Sequence, residues 1–131
     1  MAVTPPAGAT RNPDGSFSWT AQSGAQEKNV PHYKLAHVQR VCQLLGKAAF
    51  TDSAIPGLTL LGLTRDEALA VIAGMGDSMF YKSMEALKSK PHWQDVYHVP
   101  TSPSGAMAYV KFTPVVVAQK PAHIVISFKP L

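Results

Sequence analysis

Between residues 31 and 45 the chain reads PHYKLAHVQRVCQLL. Leu35, Val38, Cys42 and Leu45 recur at three- and four-residue spacing, with Lys34, His37 and Arg40 elsewhere on the wheel. That period predicts an amphipathic helix, opened at Pro31 and stopped at Gly46. The next stretch, AAFTDSAIPGLTLLGL, is ambiguous: a short strand fits residues 49–51, and Pro56-Gly57 interrupts any long helix. Thr64 and Glu67 then form a capping box, and the apolar EALAVIAGM behind them predicts a short helix closed by Gly74 and Gly76. A third helix is expected over about residues 78–88, capped by Asp77 or Ser78, with Phe80, Met84 and Leu87 as its buried stripe and Lys82 off that stripe. Pro91 ends it.

Beyond Pro91 the period changes from helical to two. Residues 93–99, 107–117 and 122–129 alternate and are rich in Val, Ile, Phe and Tyr, which predicts three strands. The loop over 100–106 and the short Gln119-Lys120-Pro121 connection make them an antiparallel meander. Ala108, Val110 and Phe112 share one face of the second strand, and Ile124, Ile126 and Phe128 share one of the third. These faces are expected under the helices. The opposite face then carries Tyr109 and Lys111 beside His123, Ser127 and Lys129, and Gln94, Val96 and His98 fit it if Trp93 and Tyr97 point inward. Helices first and strands last predict an α+β fold, with about three helices packed on a compact antiparallel sheet of about three main strands.

Residues 1–29 lack this patterning. They are rich in Pro, Gly, Ala, Ser, Thr and Gln, with Phe17 and Trp19 as the large apolar groups past Val3. Asn12-Pro13-Asp14-Gly15 is a turn signal and Ser16-Phe17-Ser18-Trp19 alternates like a strand, yet no partner strand is evident before it. A flexible N-terminal tail over 1–29, followed by one folded domain over 30–131, is the expectation.

Composition changes the picture little. The 131 residues carry 12 basic and 8 acidic side chains, a net charge of +4 that favours an anionic partner. Arg11 and Lys28 cancel Asp14 and Glu27, so the excess lies beyond residue 29. Cys42 stands alone, which excludes an intrachain disulfide and a thiolate zinc site, and its place in the helical stripe predicts a buried, inert thiol. No apolar run approaches the ~20 residues that span a bilayer, and MAVTPPAGATRN has no basic-then-apolar signal pattern. A cytoplasmic protein is therefore expected.

Most catalytic signatures are missing. The histidines at 32, 37, 92, 98 and 123 have no metal-ligand spacing, there is no G-x-S-x-G elbow, and Gly74-Met75-Gly76 does not extend into a nucleotide fingerprint. What remains is a set of Lys, Tyr, Gln and aromatic groups. Each has an ordinary reading by itself: Lys82 a solvated lysine, Tyr109 and Lys111 a solvent-facing strand pair, Trp93 a core residue.

In order and spacing, however, FYKSM at 80–84, WQDVY at 93–97, AYVKF at 108–112 and VISFK at 125–129 resemble the MqsR (motility quorum-sensing regulator) family, as do PHYKLAHVQRV and AVIAGM upstream. The resemblance runs from Pro31 to the end of the chain. It implies a RelE-like α+β fold and the toxin of a type II toxin–antitoxin pair, a metal-independent endoribonuclease that cuts single-stranded mRNA at short, often GC-containing sequences without a cofactor. It also implies a cognate antitoxin, typically a DNA-binding protein. Carried over motif by motif, the catalytic positions are Lys82, Gln94 and Tyr109, with Tyr81, Met84 and Lys129 lining or supporting the site. Such cleavage needs the 2′-hydroxyl proton removed, the phosphorane-like charge neutralised and the leaving 5′-oxygen protonated. Lys82 suits proton transfer or phosphate clamping, Tyr109 hydroxyl donation and Gln94 orientation, with Lys111 and Lys129 supplying a cationic, RNA-binding field. Pro56-Gly57, the long PVVVAQKPAH connection and His123 depart from the family pattern. A non-catalytic RNA- or protein-binding domain on the same fold is the alternative, and a Schiff-base enzyme using Lys82 a weaker one.

Overall fold

The alternation of the C-terminal half continues, in the computed structural model, through one antiparallel sheet. The structure describes residues 2–86, 92–101, 105–113 and 124–131. Its strands are β1 (Thr10–Arg11), β2 (Phe17–Thr20), β3 (Gln26–Lys28), β4 (Phe80–Ala86), β5 (His92–Pro100), β6 (Met107–Phe112) and β7 (Val125–Pro130), with helices α1 (Leu35–Leu45), α2 (Ile55–Leu61) and α3 (Arg65–Ala73) between β3 and β4. The strands pair in sequence order, each antiparallel to the next. The α+β class is as expected, but the sheet has seven strands among the described residues rather than three main ones.

Helix α1 buries the expected Leu35, Val38 and Cys42, each full burial contributing roughly 1.5–3 kcal/mol for the aliphatic side chains. Burial pushes the Cys42 thiol up to about 12, which makes it inert as a nucleophile. The capping box opens α3 as read: the Glu67 amide donates to Thr64 Oγ1 and the Thr64 amide to Glu67 Oε1. Ala68 and Ile72 of α3 join Val38, Cys42, Leu58, Tyr97, Val110, Phe112 and Phe128 in the core between helices and sheet.

No long helix crosses Pro56-Gly57, as expected; the pair opens a short one instead. Pro56 lies in the first turn of α2, where its missing N–H has no helical acceptor to reach. Gly57 sits against β7 so closely that a Cβ would stand 2.1 Å from the Phe128 carbonyl oxygen. The strand considered for 49–51 is a single turn over Gly46–Ala49 followed by one parallel bridge from Phe50 to Val125. The Ile124 amide donates to the Ala49 carbonyl and the Thr51 amide to that of Val125, so this segment covers part of the β7 edge.

Two expectations are corrected. The helix expected over 78–88 is strand β4, and Lys82 stands on it. Phe80 and Met84 match a helical stripe, but seven residues are too few for periodicity to decide. The open ladder of β5 on one side and β3 on the other satisfies the backbone groups of this segment as a strand. Only a short turn at Asp77–Met79 precedes it; Leu87 and Pro91 lie outside the described residues. The flexible tail expected over 1–29 instead contributes β1–β3. The Asn12–Gly15 turn joins β1 to β2, a turn through Gly24 at φ 89° joins β2 to β3, and β3 pairs with β4.

The inward sets of β5 and β6 are as expected, with Tyr97, Val99, Ala108, Val110 and Phe112 buried. In β7 the register slips: Phe112 pairs with Val125 and Lys111 with Ser127, leaving Ile126 extra and half-buried while Ile124, Val125 and Phe128 fill the core. Trp93 stacks on the His32 ring at 5.5 Å and lies under Lys28 Nζ at 4.2 Å, at the margin of the core. His123 and the Gln119-Lys120-Pro121 connection lie outside the described residues.

Candidate functional site on the outer sheet face

Directly paired residues of neighbouring strands share a face. One row therefore runs across four strands as Lys82, Val96, Lys111 and Ser127. A second holds Glu27, Met84 and Gln94 on β3, β4 and β5. A third holds His98, Tyr109 and Lys129 on β5, β6 and β7. Strands lie ~4.8 Å apart and alternate residues ~6.8 Å apart, so these rows form one patch on the face opposite the helices. Lys82, Gln94 and Tyr109, from three separate motifs, come together there with Lys111 and Lys129.

A register irregularity between Phe80 and Lys82 adds Tyr81 to the patch. Phe80 points into the core against Tyr97, while Tyr81 stacks on His98 with centroids 4.0 Å apart and planes 20° apart. The Tyr109 and His98 ring centroids are 6.3 Å apart, and Lys129 Nζ lies 5.1 Å from the Tyr109 ring centroid. The expected site residues Tyr81, Met84, Lys111 and Lys129 thus surround the expected catalytic three.

The electrostatics divide the roles. Lys111 is held below the usual lysine range, first by burial and then by the Lys129 and Lys82 charges. Tyr109 is pushed up by burial, with the Glu27 charge and Tyr81 adding to it, so its hydroxyl keeps its proton at neutral pH. Burial lowers His98, and nearby positive charge including Lys82 adds to the effect, which favours the neutral imidazole. Among the described residues, no group of three or more His, Cys, Asp or Glu side chains is placed to hold a metal ion.

Two site residues were not anticipated. Lys82 Nζ is ion-paired to Glu27 Oε2 at 2.7 Å, and Glu27 Oε1 accepts from Trp19 Nε1 at 3.0 Å. Both partners come from the segment expected to be a tail. The alternation around Trp19 was legible; Gln26-Glu27-Lys28 has no apolar residue and carried no strand signal. His98 was placed on this face by its spacing from Gln94, but nothing in the sequence marks its two aromatic neighbours as close.

The other conspicuous acid of the motifs is structural. Asp95 of WQDVY is 1 % exposed on the inner face, where it accepts from the His32 and Tyr33 amides and from Ser83 Oγ at 2.6 Å.

The family model described as motility quorum-sensing regulator, toxin of MqsA, matches residues 30–130. The mRNA interferase toxin MqsR of Escherichia coli (strain K12) is 38% identical over 87 residues, which cover 66% of this chain and 86% of that protein. No solved structure gives a significant match. Among the described residues, no helix is long and apolar enough to cross a membrane.

Proposed function

The chain belongs to the motility quorum-sensing regulator family of toxins, and from that premise we propose that it is an endoribonuclease that cleaves single-stranded mRNA and so halts translation. The observation that carries this reading is the convergence of Lys82, Gln94 and Tyr109 on one cationic sheet face. A relative named as an mRNA interferase supports it.

In this reading the RNA phosphate sits between Lys82 and Lys111, whose ammonium groups neutralise charge as the phosphorane forms. The 2′-oxygen attacks phosphorus and the bond from phosphorus to the 5′-oxygen breaks, leaving a 2′,3′-cyclic phosphate and a 5′-hydroxyl. An ammonium engaged in an ion pair has no lone pair to offer, so Lys82 is the clamp and not the proton acceptor. Neutral His98 takes the 2′-hydroxyl proton. Tyr109 gives its proton to the leaving oxygen, and its place beside His98 lets the imidazolium restore it. Gln94 orients phosphate or base through its amide. Tyr81 and Met84 give flanking bases an aromatic and an apolar surface. The scheme uses protein groups alone, as the metal-independent mechanism requires. A cognate antitoxin, the partner that the family description implies, restrains the activity.

The test incubates end-labelled single-stranded RNA with the protein and with Lys82→Ala in EDTA. Cleavage at defined sites with cyclic phosphate ends, lost in the variant, supports the reading. RNA that is bound but left intact by the folded protein refutes it in favour of a binding domain.

A further inference from the structure

Strand β4 would be the edge of the sheet if the structure began where the family match does, at residue 30. Lys82 would then be a long cation on an edge, free to sample many rotamers. In this chain β3 continues the sheet, pairing Glu27 with Met84 and Lys28 with Ser83. The added strands are tied down along their length. Phe17 and Asn29 exchange bonds, the Phe17 amide to Asn29 Oδ1 and the Asn29 amide to the Phe17 carbonyl, and the Gln26 amide donates to Glu85 Oε1. Further toward the N-terminus, the Val3 amide donates to the Tyr81 carbonyl at 2.7 Å, next to Lys82 itself.

A carboxylate with 10 % of its side chain exposed is costly unless paired and hydrogen-bonded. Glu27 meets both conditions with one oxygen on each partner: Trp19 Nε1 fixes the carboxylate and the carboxylate fixes Lys82. Direction matters. β3 lies on the opposite side of β4 from β5 and β6, so Glu27 reaches Lys82 from the side away from Gln94, Lys111 and Tyr109. An ammonium has three donors. Among the described residues only Glu27 engages one, which leaves two for a phosphate lying over the Lys82–Val96–Lys111 row.

We infer that residues 10–28 complete the active site, and that Glu27 is a positioning residue that holds the Lys82 ammonium in place for the scissile phosphate. The inference rests on the nuclease reading above. Its energetic basis is preorganisation: a lysine held before the substrate arrives does not lose its rotamer freedom in the transition state, whereas an untethered one does. Trp19 acts one step further back, through Glu27.

The experiment measures single-turnover cleavage of a short labelled RNA by the full chain over a range of protein concentrations, for wild type, E27Q, E27D, W19F, K82Q and the E27Q/K82Q double variant, with melting temperatures alongside. E27Q is expected to lower the maximal rate about 10- to 100-fold with a small change in half-saturating concentration. E27D, which keeps the charge on a shorter arm, recovers part of the loss, and W19F shows a smaller loss in the same direction. In the K82Q background E27Q has no further effect, because a residue that acts through Lys82 has nothing left to act on. A merely structural Glu27 would give losses that multiply, and that result overturns the inference. So does an E27Q protein as fast as wild type, or faster, since the carboxylate would then be competing with the phosphate. Should E27Q fail to fold, E27D and W19F carry the test, and unchanged rates in both overturn it. An inactive wild type removes the nuclease reading and this inference together, whereas an active wild type beside an undiminished E27Q removes this inference alone.

Discussion

Two acids, Asp95 and Glu27, sit near each other in the sheet and face opposite ways. Asp95 is 1 % exposed, and its partners are two backbone amides and a serine hydroxyl, none of which carries a charge. Glu27 is 8 % exposed, and its partner is the ammonium of Lys82. The inner acid anchors the chain where it enters α1. The outer one holds a side chain that chemistry can use. Burial alone therefore does not sort the two acids; their partners do, backbone amides and a hydroxyl for Asp95 against a side-chain ammonium for Glu27.

The largest effect expected from breaking this comparison is on the outer face. Lys82→Ala should lower RNA cleavage about 100- to 1,000-fold, measured by labelled-RNA turnover on protein of normal circular dichroism. Residual cleavage within a few-fold of wild type would move the site off this face. On the inner face the expected loss is stability. Asp95→Ala leaves the His32 and Tyr33 amides and the Ser83 hydroxyl without their acceptor, and about 3 kcal/mol should be missing in urea unfolding. Cleavage assayed far below the transition should change much less, and a stability change under about 0.5 kcal/mol would show that Asp95 is not the anchor.

Gly57→Ala tests what lies under the patch. A Cβ there meets the Phe128 oxygen and the Lys129 backbone, so α2 must lift from β7. About 1–3 kcal/mol of destabilisation is expected by thermal melting. A loss below that range would mean that the helix moves freely.

The smallest effect compares two histidines. His32, exposed beside Trp93, and His98 on the outer face are both held below the ordinary imidazole value, first by partial desolvation. Between that lowered value and the unfolded value of ~6.5 the unfolded chain binds more protons, so stability falls as pH drops through this window and levels off below it. Both rings are largely solvated, so screening keeps each contribution under about 1 kcal/mol. His32→Phe and His98→Phe should each flatten the acid slope of stability, but only His98→Phe should also remove the acid limb of the cleavage rate. An acid limb that survives His98→Phe would assign the proton acceptor elsewhere.

Much of the fold was legible because it rests on local pattern. The apolar stripe of α1, the Thr64–Glu67 box and the alternation of β5 and β6 are each decided within a few residues, and each takes the expected form. Lys82, Gln94 and Tyr109 were legible as motif members, and the two-residue period placed Gln94 and Tyr109 on one face. Three features were not. FYKSMEA fits a helical stripe and a strand almost equally, Gln-Glu-Lys carries no apolar signal, and Ile126 continues a perfect alternation that the β7 register nevertheless breaks.

Local pattern along the chain thus sets the class of fold, the inward-facing residues of the central strands and the identities of the groups that cluster. The tertiary structure decided that residues 80–86 are a strand, that residues 10–28 extend the sheet, and that Lys82 is paired to an acid 55 positions away. The physical reason is one of range. Periodicity and caps are set by neighbours along the chain, whereas an open ladder accepts any segment whose amides and carbonyls complete it, and a buried carboxylate settles wherever a cation can satisfy it.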